Sequence, residues 1–144
     1  MNPSDPFERV LSEAARRATQ YLQTIRDRHV GALDQAVAGL SRLGGPLRSQ
    51  GQDPCEVVAL LDDAGSPATV ATTGGRFFGF VVGGALPATV GAHWLADAWD
   101  QNACLYALSP VAAYLEEVVL GWLLDLLGLV PTSVFPLAET KTIL

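Results

Sequence analysis

Residues 109–128, SPVAAYLEEVVLGWLLDLLG, form the longest strongly apolar segment of the chain that has residues typical of a helix start and a helix end. Ser109 is suited to cap a helix, Pro110 to its first position, and Gly128 to its end. The charged residues within the segment are Glu116, Glu117 and Asp125. Apolar side chains cover most of the predicted helix, which is typical of a helix packed on nearly all sides. We therefore expect this helix to lie at an oligomer interface or against polypeptide missing from the chain.

The remaining sequence is also predominantly helical in its periodicity. An amphipathic helix is predicted from Pro6 to about Arg28, with Asp5 as its cap and Glu8 completing a capping box. Further helices are predicted over 32–43, 54–62 with Asp53 as cap, and 86–102, with a loop over 64–75 and a short extended piece over 77–82. The sequence thus predicts a mainly α fold with few or no strands.

Composition narrows the classes of partner and chemistry. The chain has 144 residues, 49% of them hydrophobic, which is enough for a core, and its formal net charge is -6. This acidic balance disfavours nucleic acid and anionic lipid as partners. Lys141 is the single lysine and lies four residues from the end, where a buried amine with a shifted pKa is not expected. Chemistry that requires a catalytic lysine is therefore nearly excluded for this chain acting alone.

Targeting signals and cysteine usage both favour the cytoplasm. Cys55 and Cys104 provide neither a disulfide framework nor a paired metal motif, and residues 1–6 do not resemble a secretory leader. The uncharged stretch 77–96 is nominally long enough to cross a bilayer, but its glycines, Pro87 and His93 favour a loop between two elements of a protein outside the membrane.

One local group of residues suggests nucleophilic catalysis. His93 and Asp97 are four residues apart on the same helix face, and Cys104 follows them. A thiol nucleophile with a histidine base needs such a group. The alternative is a satisfied core or boundary histidine and an inert buried thiol, and we favour it.

Two sequence blocks carry a family resemblance. They are residues 75–88, GRFFGFVVGGALPA, and residues 94–102, WLADAWDQN. They resemble the N-terminal region of the pyridoxal-phosphate-dependent group II amino acid decarboxylases. Residues 108–110 and the helix up to residue 129 extend the match, so the close resemblance covers residues 75–131 and a looser one lies upstream.

The resemblance implies a fold, a partner and a set of site residues. The implied fold is the N-terminal helical segment of an α/β enzyme of the aspartate-aminotransferase type (PLP fold type I), a homodimer whose N-terminal helices clasp the other subunit. By resemblance, the loop 80–84 faces the amino acid substrate and the stretch 102–104 reaches the partner's active site. Val82 stands where many relatives have a hydroxyl residue. The substrate-binding residues implied in this way are Phe80, Val81, Val82, Gly83, Asn102 and Cys104.

The resemblance also implies what the chain lacks. The family's cofactor loop and Schiff-base lysine have no counterpart after Val134, so pyridoxal phosphate is the family cofactor but is not expected to bind this chain alone. We expect a dimer-clasp region over 1–65, the start of the decarboxylase-like domain over 66–131 and a divergent tail over 132–144. The predicted function is a truncated N-terminal portion of a decarboxylase, inactive alone. The alternative is a non-catalytic helical protein that self-associates.

Overall fold

The computed structural model describes residues 5–82 and 84–129 and divides the chain into two compact units, Met1–Ala85 and Leu86–Leu144. Across those described ranges the regular structure consists of helices, with no strand, so the predicted mainly α class is confirmed. The helices are α1 (Pro6–Thr24), α2 (Asp34–Gly39), α3 (Pro54–Gly65), α4 (Pro87–Trp99) and α5 (Pro110–Leu126), with short 3₁₀ turns at Leu40–Leu43 and Ser66–Ala68. The predicted regions 1–65 and 66–131 follow from the family resemblance and stay a prediction, and the predicted tail 132–144 lies outside the described residues.

The helix starts follow the sequence signals closely. Asp5, Asp53 and Ser109 each accept a hydrogen bond from a backbone N–H of the first turn, and a proline opens each helix. The capping box predicted for α1 is not formed, because Asp5 accepts from the N–H of Phe7 at 2.9 Å while the Glu8 Oε2 atom is buried without a partner. An acceptor on the cap satisfies one of the four N–H groups that a helix start leaves open.

The helix ends and the segment after α3 differ from prediction. α1 stops at Thr24 rather than near Arg28, and α3 continues to Gly65. Beyond Thr24 the chain turns, and the carbonyls of Arg26 and Arg28 accept hydrogen bonds from the Arg76 guanidinium. Those carbonyls accept hydrogen bonds from a residue about fifty positions away. Helical periodicity does not detect a contact at that distance along the sequence. Over the predicted extended piece 77–82 the chain forms no strand, and it turns at Phe80 and Val81.

In the first unit, α1 and α3 lie side by side and run in the same direction. Arg9 near the start of α1 pairs with Asp53 at the cap of α3, at 3.1 Å. Further along, Arg17 pairs with Asp62, and the Tyr21 hydroxyl lies 2.9 Å from the Thr69 hydroxyl. These polar contacts follow one another in the same direction along both helices, and they therefore fix the register of α1 against α3.

Arg17 is the most highly paired side chain of this contact. Its guanidinium binds Glu13 at 2.7 Å, Asp62 at 2.9 Å and Asp63 at 2.7 Å, and its side chain is only 15% exposed. Hydrogen bonds from Arg16 and then Arg17 lower the pKa of the Glu13 carboxyl from 4.5 to about 2. Hydrogen bonds to Asp63, Asp62 and Glu13 raise the pKa of Arg17. Arg17 thus joins one carboxylate of α1 to two of α3 across the helix pair.

In the second unit, the start of α5 is the best-buried point. Ser109 is fully buried, its N–H donates to the Leu105 carbonyl at 3.0 Å, and its carbonyl accepts from the N–H of Ala113 at 3.2 Å. The Ser109 hydroxyl accepts from the N–H of Ala112 at 3.4 Å. As predicted, Gly128 follows the helix with a φ of 63°, a left-handed conformation that favours glycine.

We predict that Arg17→Ala destabilises the first unit more than Arg16→Ala does. Arg17 links two helices, whereas Arg16 is 57% exposed and pairs within α1. Urea unfolding followed by circular dichroism measures the difference as a shift of midpoint. Equal shifts for the two variants would contradict the assignment of Arg17 as the link between α1 and α3.

We predict a specific acid dependence for Glu13. Since its pKa is lowered in the folded chain, its stabilising contribution is complete above about 4.5 and is lost as the pH falls to about 2. The difference in unfolding midpoint between the wild type and Glu13→Gln should therefore shrink across this interval. Glu117→Gln is the control, because Glu117 makes no ion pair with any described residue. A difference that stays constant down to pH 2 would contradict the lowered pKa.

We predict that Ser109→Ala lowers the free energy of unfolding of the second unit by about 1 kcal/mol, since it removes the cap acceptor. Ser109→Gly is the matched control. It should lower the free energy of unfolding by only about a few tenths of a kcal/mol, because glycine is tolerated at a helix cap. Thermal unfolding followed by circular dichroism distinguishes the two variants. An alanine variant as stable as the wild type would show that the hydroxyl does not cap α5.

Candidate functional site

The loop 80–84, which the resemblance assigns to substrate binding, follows a firmly held base within the first unit. The Arg76 guanidinium donates to the carbonyl of Arg26 at 2.8 Å and to that of Arg28. Two turns precede the loop, in which the N–H of Gly74 donates to Ala71 at 3.0 Å and the N–H of Phe77 donates to Gly74 at 3.2 Å. A Cβ atom at Gly74 would lie 3.2 Å from the Ala71 carbonyl oxygen, so this close turn favours glycine. The base of the loop is therefore tied to the chain that follows α1.

Beyond this base the loop is apolar, exposed and strained. Phe80 is 93% exposed and Val81 fully exposed, and their φ angles are 55° and 54°. The left-handed region costs an L-residue about 1–2 kcal/mol, and it is especially unfavourable for a β-branched side chain such as Val81. Strained residues of this kind concentrate at functional sites. Val82 is also exposed, and Gly83 lies outside the described residues.

The other two predicted site residues belong to the second unit. Asn102 and Cys104 lie between α4 and α5, and the Asn102 Oδ1 atom accepts a hydrogen bond from the N–H of Cys104 at 3.1 Å. This is a local turn of the kind that asparagine commonly forms. Both side chains are exposed. Within each unit the predicted residues are accessible, and their roles remain predictions from the resemblance.

The histidine and thiol group does not assemble as nucleophilic catalysis requires. His93 and Asp97 both lie on α4, and Cys104 lies beyond its end. All three are exposed, and no hydrogen bond joins them among residues 84–129. The same described ranges contain no group of three or more histidine, cysteine, aspartate or glutamate residues placed to hold a metal ion. The arrangement does not support catalysis, and the alternative of a core histidine and a buried thiol is wrong as well, because both side chains are exposed.

A cleft of about 640 Å³ lies along α1 and α3. Its walls are mostly apolar, and most of its polar side chains have partners within the unit. The Tyr21 hydroxyl is bonded to Thr69, and the Arg28 guanidinium lies 4.4 Å from the centre of the Tyr21 ring. The cleft is lined by Ala14, Arg17, Ala18, Tyr21, Leu22, Val58, Leu61, Asp62, Gly65, Ser66, Thr69, Val70 and Thr72. It offers apolar surface, and no activated nucleophile lies among these residues.

Sequence reasoning missed the arginines that organise the first unit. The helical periodicity of α1 gives Arg17 no particular role, and Arg76 carries no signal beyond its place in the block 75–88. The available signal for Arg17 was the Asp62–Asp63 pair on α3 together with Glu13 four residues before it. No local signal pointed from Arg76 to the carbonyls after α1.

No family model, curated protein or solved structure matched the chain when it was compared with each of these sets. Within the residues that the structure describes, no helix is both long enough and apolar enough to span a membrane.

We predict that Val81→Gly stabilises the first unit by up to about 1 kcal/mol, because glycine relieves the left-handed strain. Val82→Gly is the matched control, since the φ angle of Val82 is not positive. It should have no effect or reduce stability. The measurement is the free energy of unfolding in urea, and a destabilising Val81→Gly would contradict the strained loop conformation.

Proposed function

We propose that this chain is the N-terminal portion of a pyridoxal-phosphate-dependent group II amino acid decarboxylase, an enzyme that converts an amino acid to an amine and carbon dioxide. Its own part in that enzyme is to present the loop 80–84 to the substrate and to join a second subunit through its helices. The observation that carries the proposal is the family-like block itself, which includes this loop. We place the protein in the cytoplasm, in accord with the free thiols of Cys55 and Cys104.

The geometry of the loop supports this assignment. A loop that contacts a substrate in a larger site needs a fixed base and accessible side chains. Arg76 fixes the base through its hydrogen bonds to the carbonyls of Arg26 and Arg28. Phe80 and Val81 provide the accessible side chains. Apolar side chains predominate in small-molecule sites, where they bury most of the ligand surface. The loop therefore suits the wall of a pocket that other polypeptide completes.

The described residues do not themselves fit the cofactor. Pyridoxal phosphate requires a lysine amine, and residues 5–82 and 84–129 contain none. Lys141, the single lysine of the sequence, lies outside the described residues. The proposal therefore assigns cofactor binding to polypeptide other than the described residues, and we derive no catalytic step through it.

The second candidate function is non-catalytic self-association through helical surfaces. The burial pattern favours it, because Ala64 and Ala71 are the buried hydrophobic residues of the described ranges. Large apolar side chains on α5 are exposed, including Trp122 and Leu126. Exposed apolar patches of this kind are typical of interaction surfaces. Both candidate functions require a second subunit, and they differ in whether the assembled protein decarboxylates an amino acid.

A chimeric enzyme tests the decarboxylase proposal directly. Residues 1–131 of this chain replace the corresponding N-terminal region of a group II decarboxylase, and release of carbon dioxide from a panel of amino acids is measured. The expected result is decarboxylation, with Phe80→Ala lowering kcat/KM because the loop contacts substrate. Absorbance of bound pyridoxal phosphate verifies that the chimera is folded and loaded.

The matched control is Leu33→Ala, which also removes an exposed apolar side chain but lies between α1 and α2, outside the loop and the cleft. It should leave kcat/KM unchanged. A chimera that binds the cofactor yet decarboxylates no amino acid would contradict the proposed function and leave the self-association candidate.

A further inference from the structure

One loop of the first unit is exposed throughout and is held by almost no hydrogen bonds. Residues 44–52, GGPLRSQGQ, join the 3₁₀ turn at Leu40–Leu43 to the start of α3 and form no helix or strand. All of them are exposed, Leu47 completely. The N–H of Gly44 donates to the Ser41 carbonyl at 3.1 Å, and no other atom of this loop forms a hydrogen bond or ion pair with a described residue. We call residues 44–52 the α3 entry loop.

The chain is fixed on both sides of the α3 entry loop. The 3₁₀ turn precedes it, and Asp53 follows it. Asp53 accepts a hydrogen bond from the N–H of Cys55 at 2.7 Å and pairs with Arg9 at 3.1 Å. Proteolytic cleavage of folded proteins concentrates in exposed loops of small and polar residues. Since this loop has few bonds to break, its backbone can enter a protease cleft while the helices on either side stay folded.

Arg48 gives the α3 entry loop the side chain that a trypsin-type protease recognises. Trypsin carries a carboxylate in the pocket that receives the residue before the cleaved bond, and this carboxylate selects a cationic side chain. Arg48 is the one charged residue of the loop. It is exposed, and its guanidinium has no hydrogen-bond or ion-pair partner among the described residues. The Arg48 side chain is therefore available to such a pocket.

Helical structure protects four of the other arginines. Arg9, Arg16 and Arg17 lie within α1, and Arg42 lies in the 3₁₀ turn. A peptide bond within a helix has to open by local unfolding before a protease can cut it, so its cleavage is slowed by the cost of opening.

A shared set of hydrogen bonds protects the remaining three arginines. The Arg76 guanidinium donates to the carbonyls of Arg26 and Arg28, which are the carbonyls that a protease attacks when it cuts after those two residues. The same bonds keep the Arg76 side chain from entering a protease pocket. Arg28 in turn donates to the Ser66 carbonyl. Of the eight arginines of the sequence, all of them described, Arg48 alone combines a free side chain with an unbonded, non-helical backbone.

We propose that the bond between Arg48 and Ser49 is a site of limited cleavage by an arginine-specific endoprotease of the trypsin type, and that the two fragments stay associated after the cut. The reaction consumes one water molecule. The C–N bond breaks, the Arg48 carbonyl carbon gains the hydroxyl and the Ser49 nitrogen gains the proton. The products are a chain that ends in the Arg48 carboxylate and a chain that begins with the Ser49 ammonium group.

Contacts across the cut hold the two fragments together. Residues 1–48 contain α1 and α2, and residues 49–144 contain α3. Arg17 on α1 pairs with Asp62 at 2.9 Å and with Asp63 at 2.7 Å. The N–H of Ala71 also donates to the Val30 carbonyl at 2.9 Å. Cleavage removes the covalent link between α2 and α3 and leaves these contacts in place.

Limited proteolysis of the full chain tests the cleavage site. The protein is incubated with a small amount of an arginine-specific protease, which does not cut after Lys141, and the products are identified by mass spectrometry. The expected first products are residues 1–48 and 49–144. Arg48→Gln should slow the first cut at least about tenfold, because every other arginyl bond has to open before it is cleaved.

Arg42→Gln is the matched control for this experiment. It removes the arginine nearest to Arg48 along the chain, and it should change neither the rate of the first cut nor its products. Far-UV circular dichroism checks that both variants keep their helices. A first cut after any other arginine, or cleavage of Arg48→Gln at the rate of the wild type, would overturn the assigned site.

Gel filtration of the cleaved chain tests whether the fragments stay associated. They should elute together in buffer and apart in concentrated urea. The cleaved Arg17→Ala variant should separate at a lower urea concentration than the cleaved wild type, since it lacks two ion pairs across the cut. Arg16→Ala is the control, because Arg16 pairs within α1. Fragments that separate in buffer alone, or an Arg17→Ala variant that separates only where the wild type does, would overturn the proposed association.

Discussion

The constraint on which the structure depends is apolar surface that the described chain leaves in contact with water. Ala64 and Ala71 are its buried hydrophobic residues, whereas leucines, valines and aromatic residues of every helix are exposed. Full burial of one such large side chain contributes about 1.5–3 kcal/mol. The exposed side chains of α5 alone therefore represent a strong drive toward association. Both candidate functions are compatible with this exposure, because each supplies a second polypeptide surface.

Within the first unit, arginine side chains connect the helices and the loop by ion pairs and hydrogen bonds. Arg17 joins α1 to α3, and Arg28 lies over Tyr21 and binds the carbonyl of Ser66. Arg76 holds the base of the exposed loop. Exposed ion pairs are individually weak, but several charges on shared partners fix register. Residues 86–129 of the second unit contain no lysine or arginine, so no comparable arginine contacts hold these residues together.

The sequence predicted the local features of this fold well. The caps at Asp5, Asp53 and Ser109 and the glycine after α5 depend on residues within one helical turn of one another, so their signals are contiguous. The end of α1 was placed too late because Arg76 acts there from fifty residues away. The left-handed backbone at Phe80 and Val81 could not be predicted, since neither residue type favours it. The described residues of the predicted site are exposed. Their proposed roles depend on other polypeptide that would complete the site, and the helices of this chain do not identify it.

Hydrogen exchange in α5, followed by mass spectrometry over a range of protein concentrations, tests most directly whether its apolar surface is covered by a partner. Backbone amides of a helix that is stabilised by association exchange more slowly as the associated fraction increases. We predict that protection of residues 111–126 rises with concentration, while protection of α1 and α3, which the arginine contacts hold together, changes much less. Protection of α5 that is independent of concentration would contradict the claim that a second copy covers this helix.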